Sequence, residues 1–153
     1  MDRQQAVDAL NEAIRYEHAA VLQYQHYALV VRGLWRSALS TFFASKSTEA
    51  HGHAARFGQK VVALGGVPTL DVADVVESTD VPVMLAQVLK LERSALAAYE
   101  RALVVAAGDT ALRNMLEDQI EAEQGDVEEL ELMLDEVAAA GVTPLSSAKR
   151  ARG

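Results

Sequence analysis

A chain of 153 residues, half of them hydrophobic, is about the size of one domain and can bury a sizeable core. Its net charge of -8 argues against a broad electrostatic contact with nucleic acid or with an anionic membrane surface. The absence of cysteine excludes disulfides, thiolate zinc sites and iron–sulfur clusters, so any metal must be held by carboxylates and imidazoles.

The start of the chain and its hydropathy bear on cellular location. The first residues, Met1 to Gln5, lack the basic start and apolar run of a signal peptide. No segment approaches the ~18 uninterrupted apolar residues of a membrane span. We therefore expect a soluble cytoplasmic protein with no membrane contact.

Capping residues and glycines predict the two helices of the first half. Asp2 can cap a first helix that runs to about Arg32. A second helix is expected to begin at Leu34 or Trp35 and to end at the glycine pair 65–66. Because their connection is short, these two helices should pack as antiparallel neighbours.

The third predicted helix follows a linker over residues 67–79. Ser78, Thr79 or Asp80 can cap this helix, with Pro82 in its first turn, where proline is tolerated. Gly108 is expected to end it.

The fourth predicted helix completes the architecture. Asp109 caps it, and a 3.6-residue apolar period continues as far as Gly141. The linker 67–79 is long enough to span most of a helix length, which permits a crossover. We predict an all-α four-helix bundle over residues 1–142 with one long crossover between helices two and three, followed by a mobile basic tail at 143–153.

Three carboxylates occupy positions where the apolar helical stripes call for hydrophobic residues: Glu17, Glu92 and Glu123. A carboxylate facing a packed core costs several kcal/mol unless it is paired, protonated or bound to a cation. Glu17 and Glu92 lie at comparable heights in the two hairpins, and each is followed one heptad later by a tyrosine, Tyr24 or Tyr99. Their convergence on one core predicts a metal site.

Further candidates lie on helices two and four. His53 falls in the apolar stripe with Ala50; such a histidine is either hydrogen-bonded in the core or, opposite inward carboxylates, a ligand. Glu49 lies about 100° around the helix from Ala50 and reaches the centre only if the helix rotates or carries a π-bulge. Asp126, three residues after Glu123, is either a short ligand or a hydrogen-bond partner of one. The candidate metal ligands are Glu17, Glu49, His53, Glu92, Glu123 and Asp126.

Four segments carry a resemblance to a known family. They are Glu17 with Gln23-Tyr24, His53 to Arg56 leading into Leu64 to Pro68, Leu91-Glu92, and Glu123 to Asp126. Over nearly the whole helical body, the chain resembles the bacterioferritin branch of the ferritin-like di-iron superfamily. The resemblance implies iron ligation by Glu17, His53, Glu92 and Glu123, with a pair of ions per subunit. Manganese is the alternative metal, and a homo-oligomer, at least a dimer, is expected.

The sequence departs from this branch at several positions. Ala50 stands where the family has a bridging glutamate, and Asp126 stands where it has a second histidine. His51 falls where bacterioferritins place the methionine that binds haem between two subunits, but nothing else in the sequence supports haem, and we expect none. The residues after Gly141 have no apolar stripe for the short fifth helix of storage cages, so a full cage is not assumed.

Two functions of different classes are compatible with these residues. One is an oxidoreductase that binds Fe(II) and oxidises it with O2 or peroxide, in iron handling or protection from oxidative stress, with no catalytic residues beyond the metal ligands. The other is a metal-binding or interaction module in which Ala50 and Asp126 have removed rapid ferroxidase activity. A mini-ferritin that coats DNA through Lys149, Arg150 and Arg152 is disfavoured by the acidic body.

Overall fold

The computed structural model describes residues 1–141, and within that range all regular secondary structure is helical. The helices are α1 (Arg3–Val30), α2 (Arg36–Ala63), α3 (Val81–Val105) and α4 (Thr110–Ala139). The predicted all-α bundle with one long connection between its second and third helices is confirmed. The predicted tail at 143–153 and any fifth helix lie outside the described residues.

Aspartate side chains cap α1 and α4, as the sequence predicts. The Asp2 carboxylate accepts from the backbone N–H of Gln4 at 2.8 Å, and that of Asp109 accepts from Leu112 at 2.9 Å. Each bond satisfies a backbone donor that has no partner inside its own helix. Asp80 occupies the cap position of α3, but its side chain makes no capping hydrogen bond.

The connection between α1 and α2 is longer than the sequence predicts, because α1 ends at Val30 and α2 begins at Arg36. The Arg36 guanidinium donates to the carbonyl oxygens of Leu29 at 3.1 Å and Val31 at 2.5 Å. These bonds satisfy carbonyls at the end of α1, so the chain turns away there. Gly33, in the left-handed conformation with φ 87°, allows the turn.

The two larger apolar clusters of the core are separated by a polar layer at mid-height of the bundle. One cluster surrounds Tyr27 and Phe43, whose ring centroids are 5.8 Å apart. The other surrounds Phe57 and Tyr99, with ring centroids 4.8 Å apart. The buried glutamates lie between the clusters, where protein and not water surrounds them.

The crossover between α2 and α3 runs along α1 and is held by two side-chain amides. Gln23, 1% exposed, donates to Val76 O at 2.9 Å and accepts from Val76 N at 2.7 Å. Asn11 donates to Val67 O at 3.0 Å and accepts from Thr69 N at 2.9 Å. The crossover therefore returns to the starting end of α2, which makes α3 parallel to α2 and antiparallel to α1.

None of the described helices combines the length and apolar character that crossing a lipid bilayer would require.

Candidate metal centre

Three helices place the buried glutamates of the polar layer. Glu17 on α1 is 2% exposed, Glu92 on α3 is 5% exposed and Glu123 on α4 is 1% exposed. Each occupies a core-facing position of its helix, because residues one turn before and after it are buried on the same face. The packing of both clusters therefore holds the carboxylates together.

Two groups of potential ligand atoms share Glu123. In the first trio, one atom from each of Glu17, His53 and Glu123 lies within 4.8 Å of the other two. In the second trio, the same holds for Glu92, Glu123 and Asp126. The two trios therefore lie side by side in the polar layer, and a pair of ions between them stays a prediction.

Each buried tyrosine donates to the glutamate of the other helix. The Tyr99 hydroxyl of α3 donates to Glu17 Oε1 at 2.6 Å, and the Tyr24 hydroxyl of α1 donates to Glu92 Oε1 at 2.5 Å. Burial and then the adjacent carboxylates hold the pKa of both phenols well above the ordinary value, so both remain protonated donors.

His53 is the imidazole of the first trio. Its Nδ1 lies 3.5 Å from Glu17 Oε2 and 3.3 Å from Glu123 Oε1. Burial opposes protonation of the ring, but the pair of carboxylates outweighs it and raises the pKa of His53 to about 10. Without a metal, His53 is therefore the imidazolium that offsets carboxylate charge in this trio.

The glutamates respond differently to burial. Burial raises the pKa of Glu17 and Glu92 above the ordinary carboxyl value. Burial acts on Glu123 in the same direction, but the hydrogen bond with His53 and the interactions with Glu92 and Gln119 outweigh it, so the pKa of Glu123 is lowered. Gln119 donates to Glu123 Oε1 at 2.8 Å.

The other oxygen of Glu123 supports a cation site. Glu123 Oε2 is buried and has no hydrogen-bond partner among the described residues. A buried carboxylate oxygen without a donor is costly unless a cation replaces the donor. The set of carboxylate oxygens and one imidazole nitrogen suits iron or manganese.

A lysine reaches the second trio. Lys46 Nζ lies 2.5 Å from Asp126 Oδ1 and 2.9 Å from Glu49 Oε2, and its side chain is only 12% exposed. Burial opposes the charge of Lys46, but hydrogen bonds with these carboxylates outweigh it and raise the pKa of the ammonium. Burial raises the pKa of Asp126, against the lowering effect of Lys46.

The structure brings most of the predicted ligands together, whereas their binding of metal stays a prediction. Glu17, His53, Glu92, Glu123 and Asp126 all lie within the trios. The Glu49 side chain is 51% exposed and pairs with Lys46, and α2 continues as a regular α-helix through Glu49 without a π-bulge.

The structure also gives the position of His51 and shows two residues of the centre that were not predicted. His51 is exposed and lies outside the centre, in a surface groove that also includes His18. Lys46 and Gln119 were not predicted, although spacing gave a signal for both. Lys46 precedes His53 by seven positions and Gln119 precedes Glu123 by four, and both spacings bring side chains to the same helix face.

Comparisons with known proteins bear on the fold. A family profile described as a ferritin-like domain matches residues 7–140. Among solved structures, the chain is similar to one titled as ferritin like, diiron-carboxylate proteins from Bacillus anthracis str. Ames. The TM-score is 0.84 and the sequence identity 34%, with 88% of this chain and 98% of that chain covered. Among curated proteins, no sequence matches the chain significantly.

Proposed function

Because the chain belongs to the ferritin-like domain family, we propose that it binds Fe(II) between its buried glutamates and oxidises it with O2 or peroxide. Glu17, His53 and Glu123 would hold the metal, with Glu92 beside them. The structural relative at 34% identity is titled a diiron-carboxylate protein, which favours iron over manganese. The bacterioferritin branch and a cytoplasmic location stay predictions from the sequence.

The observation that carries this proposal is the Glu123 carboxylate. It is 1% exposed, shared by both trios, and one of its oxygens has no hydrogen-bond partner among the described residues. His53, Glu92 and Gln119 offset the charge of this carboxylate, but its Oε2 stays without a donor, and a cation bound there would supply the missing partner. A divalent ion that replaces the proton of His53 offsets more of this charge than the imidazolium does.

The residues of the chain have distinct tasks in this proposal. Iron bound there would supply the electrons, one from each Fe(II): reduction of a peroxide to water would consume a pair of Fe(II) ions and a pair of protons, and reduction of O2 to water would consume twice as many of each. Glu17 and Glu123 neutralise positive charge, and His53 releases its proton so that Nδ1 can act as a ligand. Tyr99 and Tyr24 fix the orientation of Glu17 and Glu92, and the apolar clusters on both sides exclude water.

Anaerobic loading with Fe(II), followed by oxygen or peroxide, tests the proposed function. We expect stoichiometric iron binding and a ferric absorbance that appears faster than in buffer. The double variant Glu17→Gln, Glu123→Gln should bind no iron and oxidise it at the buffer rate. Glu121→Gln changes an exposed carboxylate of the same helix and should behave like the wild-type protein. Absence of bound iron in the wild-type protein would overturn the proposal.

A second candidate function is metal binding without rapid oxidation. Ala50 removes one carboxylate from the polar layer, and Lys46 engages an oxygen of Asp126. Both features reduce the number of free ligand atoms. Stoichiometric iron binding together with oxidation at the buffer rate would favour this function.

We also propose self-association through the outer face of α1 and the crossover. Leu29 on α1 is 70% exposed, and Leu70 on the crossover is 91% exposed. Leu22 and Val75 extend this apolar surface, and such surfaces commonly mark protein interfaces. Light scattering after gel filtration should show at least a dimer, and Leu29→Lys should shift the protein towards monomer.

A further inference from the structure

Lys46 occupies a position that a charged surface residue would not normally take. It lies on α2, two helical turns before His53, and points into the bundle with a side chain only 12% exposed. Its ammonium contacts Asp126 of α4 at 2.5 Å and Glu49 at 2.9 Å. Lysine is rarely buried unless its charge is paired, so the ion pairs of Lys46 belong to the polar layer.

The two trios differ in their cations. The first trio contains His53, which can lose its proton and become a ligand. Lys46 has no lone pair as an ammonium and so cannot ligate a metal while it is charged. In the second trio it already engages Asp126 Oδ1, and the other α2 residues there are Ala50, which has no ligand atom, and Glu49, which is half exposed and pairs with Lys46.

The space in the polar layer limits the number of ions, and the charge of Lys46 disfavours the second trio. The polar layer encloses a cavity of about 10 Å³, lined by both trios together with Lys46, Glu49 and Ala50. A cavity needs roughly 10–15 Å³ by this measure to hold one water-sized particle. A divalent ion bound beside Asp126 would also be repelled by the ammonium of Lys46.

We propose that the Lys46 ammonium takes the place of a second metal ion, so that each chain binds a single ion in the first trio. This inference rests on the proposed function, because it presupposes that the first trio binds metal. Lys46 then neutralises Asp126 and leaves Glu17, His53 and Glu123 as the metal-binding residues.

Removal of the lysine charge tests the inference. Lys46→Met keeps an unbranched side chain but frees Asp126, and Lys46→Arg retains the positive charge. Lys60 offers a matched control, because it lies seven residues after His53 and pairs at 3.0 Å with Asp109, the residue that caps α4. Lys60→Met removes an equivalent α2–α4 ion pair outside the polar layer.

The readout is iron content per chain after anaerobic equilibrium dialysis against Fe(II), measured by mass spectrometry of the metal. We expect one ion in the wild-type protein, Lys46→Arg and Lys60→Met, and two ions in Lys46→Met. Two ions in the wild-type protein, or one ion in Lys46→Met, would overturn the role of Lys46 but leave the proposed function intact. No ion in the wild-type protein would overturn the proposed function itself.

A further measurement decides the question if Lys46→Met does not fold. Anomalous diffraction from wild-type crystals soaked in Fe(II) locates each ion. A single peak beside His53 supports the inference, and a peak beside Glu92 and Asp126 overturns it.

Discussion

The Tyr99 hydroxyl donates to Glu17 across the interface between α3 and α1, with 2.6 Å between the two oxygens. The Tyr24 hydroxyl makes the equivalent bond to Glu92 in the opposite direction. Each helix thus orients the carboxylate of its neighbour, and the repeated Glu-to-Tyr spacing becomes a pair of crossed hydrogen bonds. The orientation of both carboxylates therefore depends on the packing of α1 against α3.

Loss of the Tyr99 hydroxyl should weaken metal binding. Tyr99→Phe retains the ring that packs on Phe57 but leaves Glu17 without its donor. Groups that orient a ligand typically contribute roughly 10–100-fold in metal affinity, and we expect a loss in that range. Tyr27→Phe is the matched control, since it removes a buried hydroxyl that donates to Val76 O at 2.7 Å, away from the glutamates. Equal affinities of these variants for Fe(II) in anaerobic dialysis would contradict the proposed role of Tyr99.

Neutralising Glu92 should stabilise the metal-free protein. Burial raises the pKa of Glu92, so the folded state holds a proton that the unfolded state has lost at neutral pH. Its ionisation therefore costs stability as the pH rises above the ordinary carboxyl value. Glu92→Gln removes this cost while still accepting from Tyr24, and we expect a gain of about 1 kcal/mol near neutral pH that disappears in acid.

Thermal unfolding of the metal-free protein at several pH values measures this gain. Glu100→Gln, an exposed change on the same helix, should alter the unfolding temperature little. A metal-free Glu92→Gln protein that is less stable than the wild type at neutral pH would show that the Glu92 carboxylate stabilises the fold without metal.

Metal affinity should rise with pH because His53 must lose a proton to become a ligand. The surrounding carboxylates outweigh burial and raise the pKa of His53 to about 10, so the ring is protonated at neutral pH in the metal-free state. Each proton released on binding increases the apparent affinity about tenfold per pH unit below that pKa. Anaerobic titration with Mn(II) between about pH 6 and pH 8 measures this slope. An affinity that does not change with pH would show that binding displaces no proton.

The raised pKa of His53 also predicts how the stability of the metal-free protein depends on pH. The folded-state pKa of His53 lies above its ordinary value, so the interaction stabilises the protein fully below that value and is lost as the pH rises through about 10. His53→Gln should therefore reduce this part of the pH dependence.

Alanine substitutions at Gly66 and Gly52 test the packing at two positions with contrasting environments. A Cβ at Gly66 would lie 2.6 Å from Val7 Cγ1 and 3.1 Å from Val61 Cγ1, so Gly66→Ala should destabilise the protein by about 1–3 kcal/mol. Gly52 lies inside α2 with open space around it, and Gly52→Ala should stabilise by about 0.5–1 kcal/mol. Urea unfolding measures both changes. Opposite signs are expected, and destabilisation by Gly52→Ala would contradict the open environment of that position.

The sequence predicts the fold and the glutamates well because both depend on local periodicity. Helix ends follow from capping residues and glycines, and Glu17, Glu92 and Glu123 are recognised because they interrupt apolar stripes. The role of Lys46 depends on distances between helices, which the sequence alone does not provide. A lysine is assigned to the surface by default, and only the packing of α2 near α4 shows that its long side chain reaches Asp126.

The Glu49 prediction shows a related limit. The helical period places Glu49 beside the inward face of α2. Whether its side chain reaches the centre depends on whether the helix is regular or carries a π-bulge. The regular helix leaves Glu49 half exposed, where pairing with Lys46 is its strongest available interaction. The hydrogen bonds from Tyr99 and Tyr24 could not be predicted from the sequence either, because they require α1 and α3 to be antiparallel neighbours in one particular register.

Anomalous X-ray diffraction at the iron absorption edge, from crystals equilibrated anaerobically with Fe(II), tests most directly whether the buried glutamates form a metal site. We predict a peak bounded by Glu17, Glu123 and His53 Nδ1, with Lys46 still paired with Asp126. The absence of a peak at saturating iron, with His53 still paired with the two glutamates, would contradict metal binding by this protein.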